Sequence, residues 1–471
     1  MTPAPVIVWF RRDLRLNDHL PLYNAVQTGQ PIIPLFIFDP AILHSKRMSL
    51  ARIQFMLNAL STLRDELQKK GGNLLILHGK PSDVLNEVIT KTGTTALFYG
   101  IDYTPYARKR DKFVEDTLSI QIHPIHDRLL VPPHLISKVD GSPYTVFTPF
   151  RNMWRTIEKA SQVDVSLSPE RFFNINHLPQ NPIPTLTDLG FSPTNIPIPP
   201  ATPTHASDQL THFMHHDIYG YAEKRDKIGN ANESPKTQTS FLSPYIRFGL
   251  ISLREIYWSA RVAHETAITK EKQDSVTKFV DEVVWHEFYT HILWHFPHVK
   301  TRNFNPKFDA MTWQNNPEGF MRWCMGKTGY PVVDAAMRQL VETGWMHNRA
   351  RMIVASFLTK DLLIDWRLGE QFFMQHLIDG DTAANNGGWQ WTAGTGTDAQ
   401  PFFRIFNPIL QSLKFDPSGD FIRHWLPELA HLLDADIHQP YSPNGYPAPV
   451  VEHDVARQIA LELHAKLKKE D

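Results

Sequence analysis

Thirteen residues pose the first question. DGDTAANNGGWQW, residues 379–391, holds two aspartates, two asparagines, three glycines and two tryptophans. A surface loop has no use for the two indoles, and a core has none for the two carboxylates. Chemistry-bearing residues recur elsewhere at helical spacing. Glu282, Trp285 and Tyr289 fall at i, i+3 and i+7 and share one helix face. Core packing accounts for Trp285 but not for Glu282. A carboxylate beside an aromatic plate can hydrogen-bond the edge of a flat ligand while the plate stacks on its face. Asn348, Arg351, Met352 and Ala355 form a second stripe, which reads equally as a pocket wall or as packing. TSFLS, 239–243, opens a helix with small hydroxyl residues that either cap it or present donors to a phosphate.

Two other motifs fail. GKT at 326–328 has Met321 where a phosphate-binding loop needs its first glycine. His286, His291, His295 and His298 crowd one stretch. The histidine after His286-Glu287 comes five positions on, off the face a zinc site needs, and Pro297 ends the helix with no third ligand in view. No metal is expected.

The elements that must position these residues follow from pattern. Short apolar runs, VIVWF, IIPLFIF, LLILH, ALFYG and IQIHPI, alternate with helix-like segments over the first third, which predicts a doubly wound parallel sheet over 1–130. No Gly-x-Gly-x-x-Gly follows the first run, so a plain dinucleotide fold lacks its fingerprint. Eight prolines between 179 and 203 mark an interdomain connector, set at 131–205. Residues 206–471 read as a larger all-α domain. A length of 471 residues calls for at least two domains. The absence of an 18-residue apolar run excludes a membrane span, and the N-terminus reads as the start of a fold rather than a leader. The single cysteine, Cys324, fits a reducing cytoplasm. A net charge of −1 means that nucleic-acid binding would need a local basic patch.

Taken together, WFRRDLRLNDH, TSFLSPYIRFGLIS, TGYPVVDAAMRQLVETGWMHNRARM and DGDTAANNGGWQW resemble, in order and spacing, the photolyase/cryptochrome flavoproteins. The resemblance implies an α/β domain joined to a helical domain that holds FAD. It implies that Tyr221, Thr239, Ser240, Leu242 and Ser243 line the FAD phosphates, and that Arg351 and Asp379 pair beside the isoalloxazine ring. Asp381 would bond the flavin's polar edge, and Asn385 would face its N5. Trp389, Trp366 and Trp313 would carry electrons to the surface. Trp285 and Trp391 would wall a damaged base pair, and Glu282 and Asn348 would bond the thymine edges. Met352 would stand beside the lesion, and Arg225, Arg349, Arg404 and Lys414 would grip the DNA phosphates.

Branch-specific positions narrow the resemblance. (6-4) repair uses histidines where this chain has Asn348 and Met352. Asn385, Trp285 and Trp391 are retained, and each position points to the class I branch acting on cyclobutane pyrimidine dimers. The implied chemistry is electron transfer from light-excited reduced FAD to a flipped-out dimer, with the electron returned after the ring splits. The alternatives are a cryptochrome-type blue-light receptor without repair, and a flavin-dependent oxidoreductase that would leave Trp285 and Trp391 without purpose. Tyr106 and Ala107 replace the Asn and Glu of folate-binding members, whereas Asp102 matches deazaflavin-binding ones. The expected antenna is 8-hydroxy-5-deazaflavin, ahead of FMN, folate or an empty site. A monomer acting on DNA is expected. Two departures stand out: His286 replaces the usual Arg after the stacking Trp, and Phe279 replaces a common Trp. His286 is expected near the lesion, where its protonated form would help hold a phosphate, or else pointing outward.

Overall fold

The structure is a computed structural model in which residues 3–229, 239–399, 401, 404–439 and 445–469 are described. β1 (Val6–Phe10), β2 (Ile32–Phe38), β3 (Leu75–His78), β4 (Ala96–Gly100) and β5 (Gln121–Ile125) form one parallel sheet in the order β3-β2-β1-β4-β5. Every residue of β1, β2 and β4 is buried, because crossover helices cover both faces. β5 is the partly exposed edge and carries Pro124 there. Pro34 lies in a central strand, yet it removes no ladder bond. Ile32 turns its carbonyl toward Phe173 on the β3 side, so Pro34, two residues on, faces the same side, and β3 pairing starts only at Leu35.

The connecting stretch is more than a tether. Its helix Phe147–Thr156 packs on the 26-residue helix Lys270–His295. Glu287 of that long helix is buried and accepts from the amide nitrogens of Leu130 and Val131 and from Trp154 Nε1. Burial pushes the Glu287 carboxyl up to about 7. Phe172 returns to the sheet beside Ile32, and 179–202 then runs without helix or strand, as its prolines require.

From Pro203 to Lys469 the described chain is helical. No helix among the described residues is long and apolar enough to cross a membrane. The helical body docks on the sheet through backbone as well as side chains. Leu14 N–H donates to Phe248 O at 3.0 Å, and Gly249, at φ 63°, sits so close that a Cβ there would lie 2.3 Å from Arg12 O. Arg254 crosses the seam to Asp18 at 2.9 Å and Asp127 at 2.8 Å, and Arg15 meets Asp127 at 2.6 Å. Among the described residues, Asp13, His19 and Asp127 are close enough to share a metal, but Asp127 is spent on these two arginines.

Candidate functional site

A cavity of about 510 Å³ opens in the helical body, within the range of small-molecule and cofactor sites. Both helical stripes of the sequence reach it. Glu282, Trp285 and Tyr289 line one wall from the long helix, and Asn348, Arg351, Met352 and Ala355 line another from helix Asn348–Ser356. Tyr221, Thr239, Ser240 and Ser243 also line it, as do Asp379, Asp381, Asn385, Gly388, Trp389 and Trp391. Leu242 differs: its side chain is buried in the core, 1% exposed, so only its backbone is left to meet a ligand.

The DGD triplet now has a physical account. Asp379 Oδ2 accepts from Ser243 Oγ at 2.7 Å and Arg351 Nη2 at 2.8 Å, while its Oδ1 is buried without a hydrogen-bond partner. Asp381 caps helix Thr382–Ala393 through Oδ1, accepting from the amide nitrogens of Ala383 and Ala384. Its Oδ2 meets Arg12 Nη2 at 2.5 Å, with Arg128 at 3.9 Å. Burial opposes that charge, but Arg12, His286 and Arg128 hold the carboxyl well below the usual range. Gly380 must separate the two aspartates because a Cβ there would lie 2.2 Å from Arg52 Nη1, which donates to Leu377 O. Gly388 faces open space in the cavity wall.

Asn385 donates through Nδ2 to the backbone and side-chain oxygens of Glu370, both at 3.0 Å, which leaves its carbonyl oxygen to meet a ligand. Glu370 in turn is held by Arg47 from the sheet-bearing half. Burial still raises the Glu370 carboxyl above its ordinary value, with Arg47 opposing.

FAD fits this chamber. Its volume, an unsatisfied buried Asp379 oxygen, an unpartnered Arg247 Nη1 on the lining and the open face at Gly388 all leave polar valence and room turned inward.

Trp285 is backed by Phe147, whose ring lies parallel at 3.6 Å and 4°. Phe147 N–H donates to Asp398 Oδ2 at 2.9 Å, so the loop after Trp391 is tied to the plate under Trp285. Glu282 pairs with Arg225, and Arg349 Nη2 pairs with Asp226 at 2.8 Å. Lys414 and Arg404 are exposed and lie outside the lining. Asn348 is exposed at the rim.

Trp389 touches the cavity from the core side, and its ring packs on Gly369, where a Cβ would lie 2.2 Å away. Gly369 sits on the helix that begins with Trp366. Trp366 is buried in the same core cluster, with Nε1 donating to Asn303 Oδ1, and Trp313 packs on that cluster, half-buried. A further tryptophan, Trp323, meets Trp389 edge-on at 6.1 Å. In sequence Trp323 is indistinguishable from packing. Phe279 is buried at 5% exposure edge-on to Tyr221, which fits a packing substitution.

Two residues singled out in the sequence have surroundings that it does not show. His286 lines the cavity, within electrostatic reach of Asp381, Arg128 and Arg12. Burial, with Arg128 and Arg12 adding to it against Asp381, pushes it down to about 4, so it is neutral throughout pH 6–8 and adds no titration to DNA binding there. The Asp102 carboxylate pairs with Arg12 at 3.2 Å and Arg128 at 3.6 Å. The sequence reading missed Arg12, Arg128, Arg47, Glu370 and Phe147, because their roles lie in contacts between residues far apart in the chain.

Comparison with known proteins agrees with this geometry. The FAD binding domain of DNA photolyase matches residues 279–466, and the DNA photolyase domain matches residues 6–169. A deoxyribodipyrimidine photo-lyase of Synechococcus sp. is 41% identical, covering 99% of this chain and 97% of its own. A bacterial class III photolyase structure from Agrobacterium tumefaciens superposes with a TM-score of 0.90 at 37% identity, covering 100% of this chain and 98% of the other. A Synechocystis sp. cryptochrome structure gives 0.88 at 29% identity, covering 98% and 99%. A helical cavity lined by the DGD carboxylates, tied to a five-stranded parallel sheet and matched along nearly its whole length, makes this chain a member of the photolyase/cryptochrome family of FAD-binding flavoproteins.

Proposed function

We propose that this protein is a deoxyribodipyrimidine photo-lyase that uses light to repair cyclobutane pyrimidine dimers in DNA. The observation that carries the reading is the lining of the cavity, which brings together Trp285 and Trp391, 106 positions apart in the chain, with Glu282, Asn348 and Met352. FAD, when bound, supplies light-driven one-electron chemistry. The chain's own residues do the rest. Trp285, stiffened by Phe147, and Trp391 offer stacking surfaces worth about 1–3 kcal/mol per base, which offsets the few kcal/mol needed to flip a damaged pair. Glu282 and Asn348 hydrogen-bond the pyrimidine edges. Tyr221, Thr239, Ser240, Ser243 and the backbone of Leu242 would hold the FAD phosphates, Arg351 and Asp379 would flank its ring, Asp381 would accept from its polar edge, and Asn385 would offer its carbonyl toward N5. Arg225, Arg349, Arg404 and Lys414 position the backbone of the DNA.

Class I is the narrower form of the proposal. It is carried by Asn348 and Met352, where (6-4) chemistry uses histidines, together with Asn385, Trp285 and Trp391. The receptor reading keeps the same flavin and gives no loss of dimers under light. Cytoplasmic location and a monomeric state are further proposals, as is the division at 1–130, 131–205 and 206–471. The antenna is proposed to be 8-hydroxy-5-deazaflavin, sharing Asp102 with its two arginines.

Three measurements test these assignments. Reduced protein illuminated with an oligonucleotide carrying one thymine dimer restores intact thymines and leaves a (6-4) product unrepaired, because neither Asn348 nor Met352 can act as the histidine that chemistry needs. Unchanged dimer, or efficient (6-4) repair, contradicts the proposal. In Trp389→Phe, photoreduction of oxidised FAD is lost while repair by chemically reduced protein persists; wild-type photoreduction rates would show that electrons do not pass through Trp389. Protein made with a deazaflavin supply copurifies with it, and Asp102→Ala lowers its occupancy without lowering that of FAD; stoichiometric folate instead rejects the antenna assignment.

A further inference from the structure

Two of the four cations expected to hold DNA phosphates, Arg225 and Arg349, are paired with carboxylates of this chain. Arg349 Nη2 lies 2.8 Å from Asp226 Oδ2, and Arg225 Nε lies 3.7 Å from Asp226 Oδ1. One carboxylate thus spans both guanidinium groups, one oxygen to each, in the way a phosphate gripped by two arginines would. The rest of the neighbourhood fixes those groups in place. Arg349 stacks on Phe415 at 4.3 Å, Lys414 approaches the same ring at 5.3 Å, and Arg225 lies over Tyr221 at 5.5 Å with its Nη1 on Glu282. Both arginine side chains are about 15% exposed, whereas Asp226 is 36% exposed and can move aside toward solvent. Glu282 is committed to the pyrimidine edge in the proposed function, so of the carboxylates paired with these arginines among the described residues, Asp226 is the one with no task toward the lesion. His347, nearby, is pushed down to about 4 by burial and adds no charge at neutral pH.

We propose that Asp226 is a built-in competitor for the DNA phosphate, occupying the Arg225–Arg349 pair until a phosphate displaces it, and so restraining the protein's affinity for DNA as such. The inference rests on the reading of Arg225 and Arg349 as phosphate-gripping residues. The competition is weak by design of its exposure. Ion pairs at partly exposed sites are worth little individually, so removing this one from two arginines tightens binding by about 3- to 10-fold. It also leaves a salt signature. Without the carboxylate, solution anions associate with the two arginines and are released when a phosphate enters, in addition to the cations that leave the DNA. Loss of the carboxylate therefore steepens the dependence of log affinity on log salt.

The test is a duplex-binding titration, with undamaged DNA, of the FAD-loaded protein, Asp226→Asn and Asp226→Glu at several salt concentrations. The expected result is 3- to 10-fold tighter binding and a steeper salt slope for Asp226→Asn, with Asp226→Glu near wild type. Dimer-containing DNA gains by a similar factor, since both complexes displace the same carboxylate. The opposite role, a carboxylate that organises the arginines for phosphate, gives weaker binding in Asp226→Asn; that result, or unchanged affinity and slope, overturns the inference. Arg349→Ala separates this from failure of the underlying reading: if that change leaves DNA affinity untouched, Arg349 is not a phosphate contact and the premise falls.

Discussion

Arginines from the sheet-bearing half hold the carboxylates that the helical half turns toward its cavity. Arg12 and Arg128 reach Asp381, and Arg47 reaches Glu370, which fixes Asn385. A buried carboxylate left alone would take up a proton or stay unfolded in water, since removing one partner of a buried pair costs about 3–5 kcal/mol. The long helix and the DGD turn can therefore carry charge into the core only because another part of the chain supplies the counter-charge. The seam of Arg15, Arg254, Asp18 and Asp127 and the close approach at Gly249 make that reach reproducible.

The cavity inherits its chemistry from this arrangement. Asp381 is held ionised and is an acceptor only, so it suits a ligand edge that donates. Asn385, its amide N–H spent on Glu370, offers a carbonyl. Asp379 keeps one buried oxygen unsatisfied beside Arg351. These are fixed, oriented dipoles and charges of the kind that stabilise transient charge without reorganising. His286, drawn into the same cluster, is kept neutral there by burial rather than serving as a surface cation. The pairs that Arg225 and Arg349 make with Glu282 and Asp226 differ in being partly exposed.

What the sequence made legible was whatever has a period or a signature. Alternating apolar runs mark the five strands, and the i, i+3, i+7 stripe of Glu282, Trp285 and Tyr289 reaches one wall of the cavity. The stripe of Asn348, Arg351, Met352 and Ala355, ambiguous in sequence between wall and packing, lines the cavity in full. What stayed hidden depends on residues distant in the chain. Nothing local marks Arg12 as the partner of a carboxylate 369 positions away, or Phe147 as the plate beneath Trp285. Residue type alone does not show the burial that lowers the His286 pKa, and a motif position does not say whether the side chain or the backbone of Leu242 is the part left to face the cavity.

The most direct test of this dependence is the affinity of Arg12→Met for FAD, measured by titrating the cofactor into apoprotein whose helical content matches wild type. If Asp381 meets the flavin only because Arg12 keeps it charged and aimed, binding weakens by roughly tenfold or more, about 1.4 kcal/mol at the least. An unchanged FAD affinity in a folded Arg12→Met protein would contradict the account, showing that the helical half organises its cavity alone.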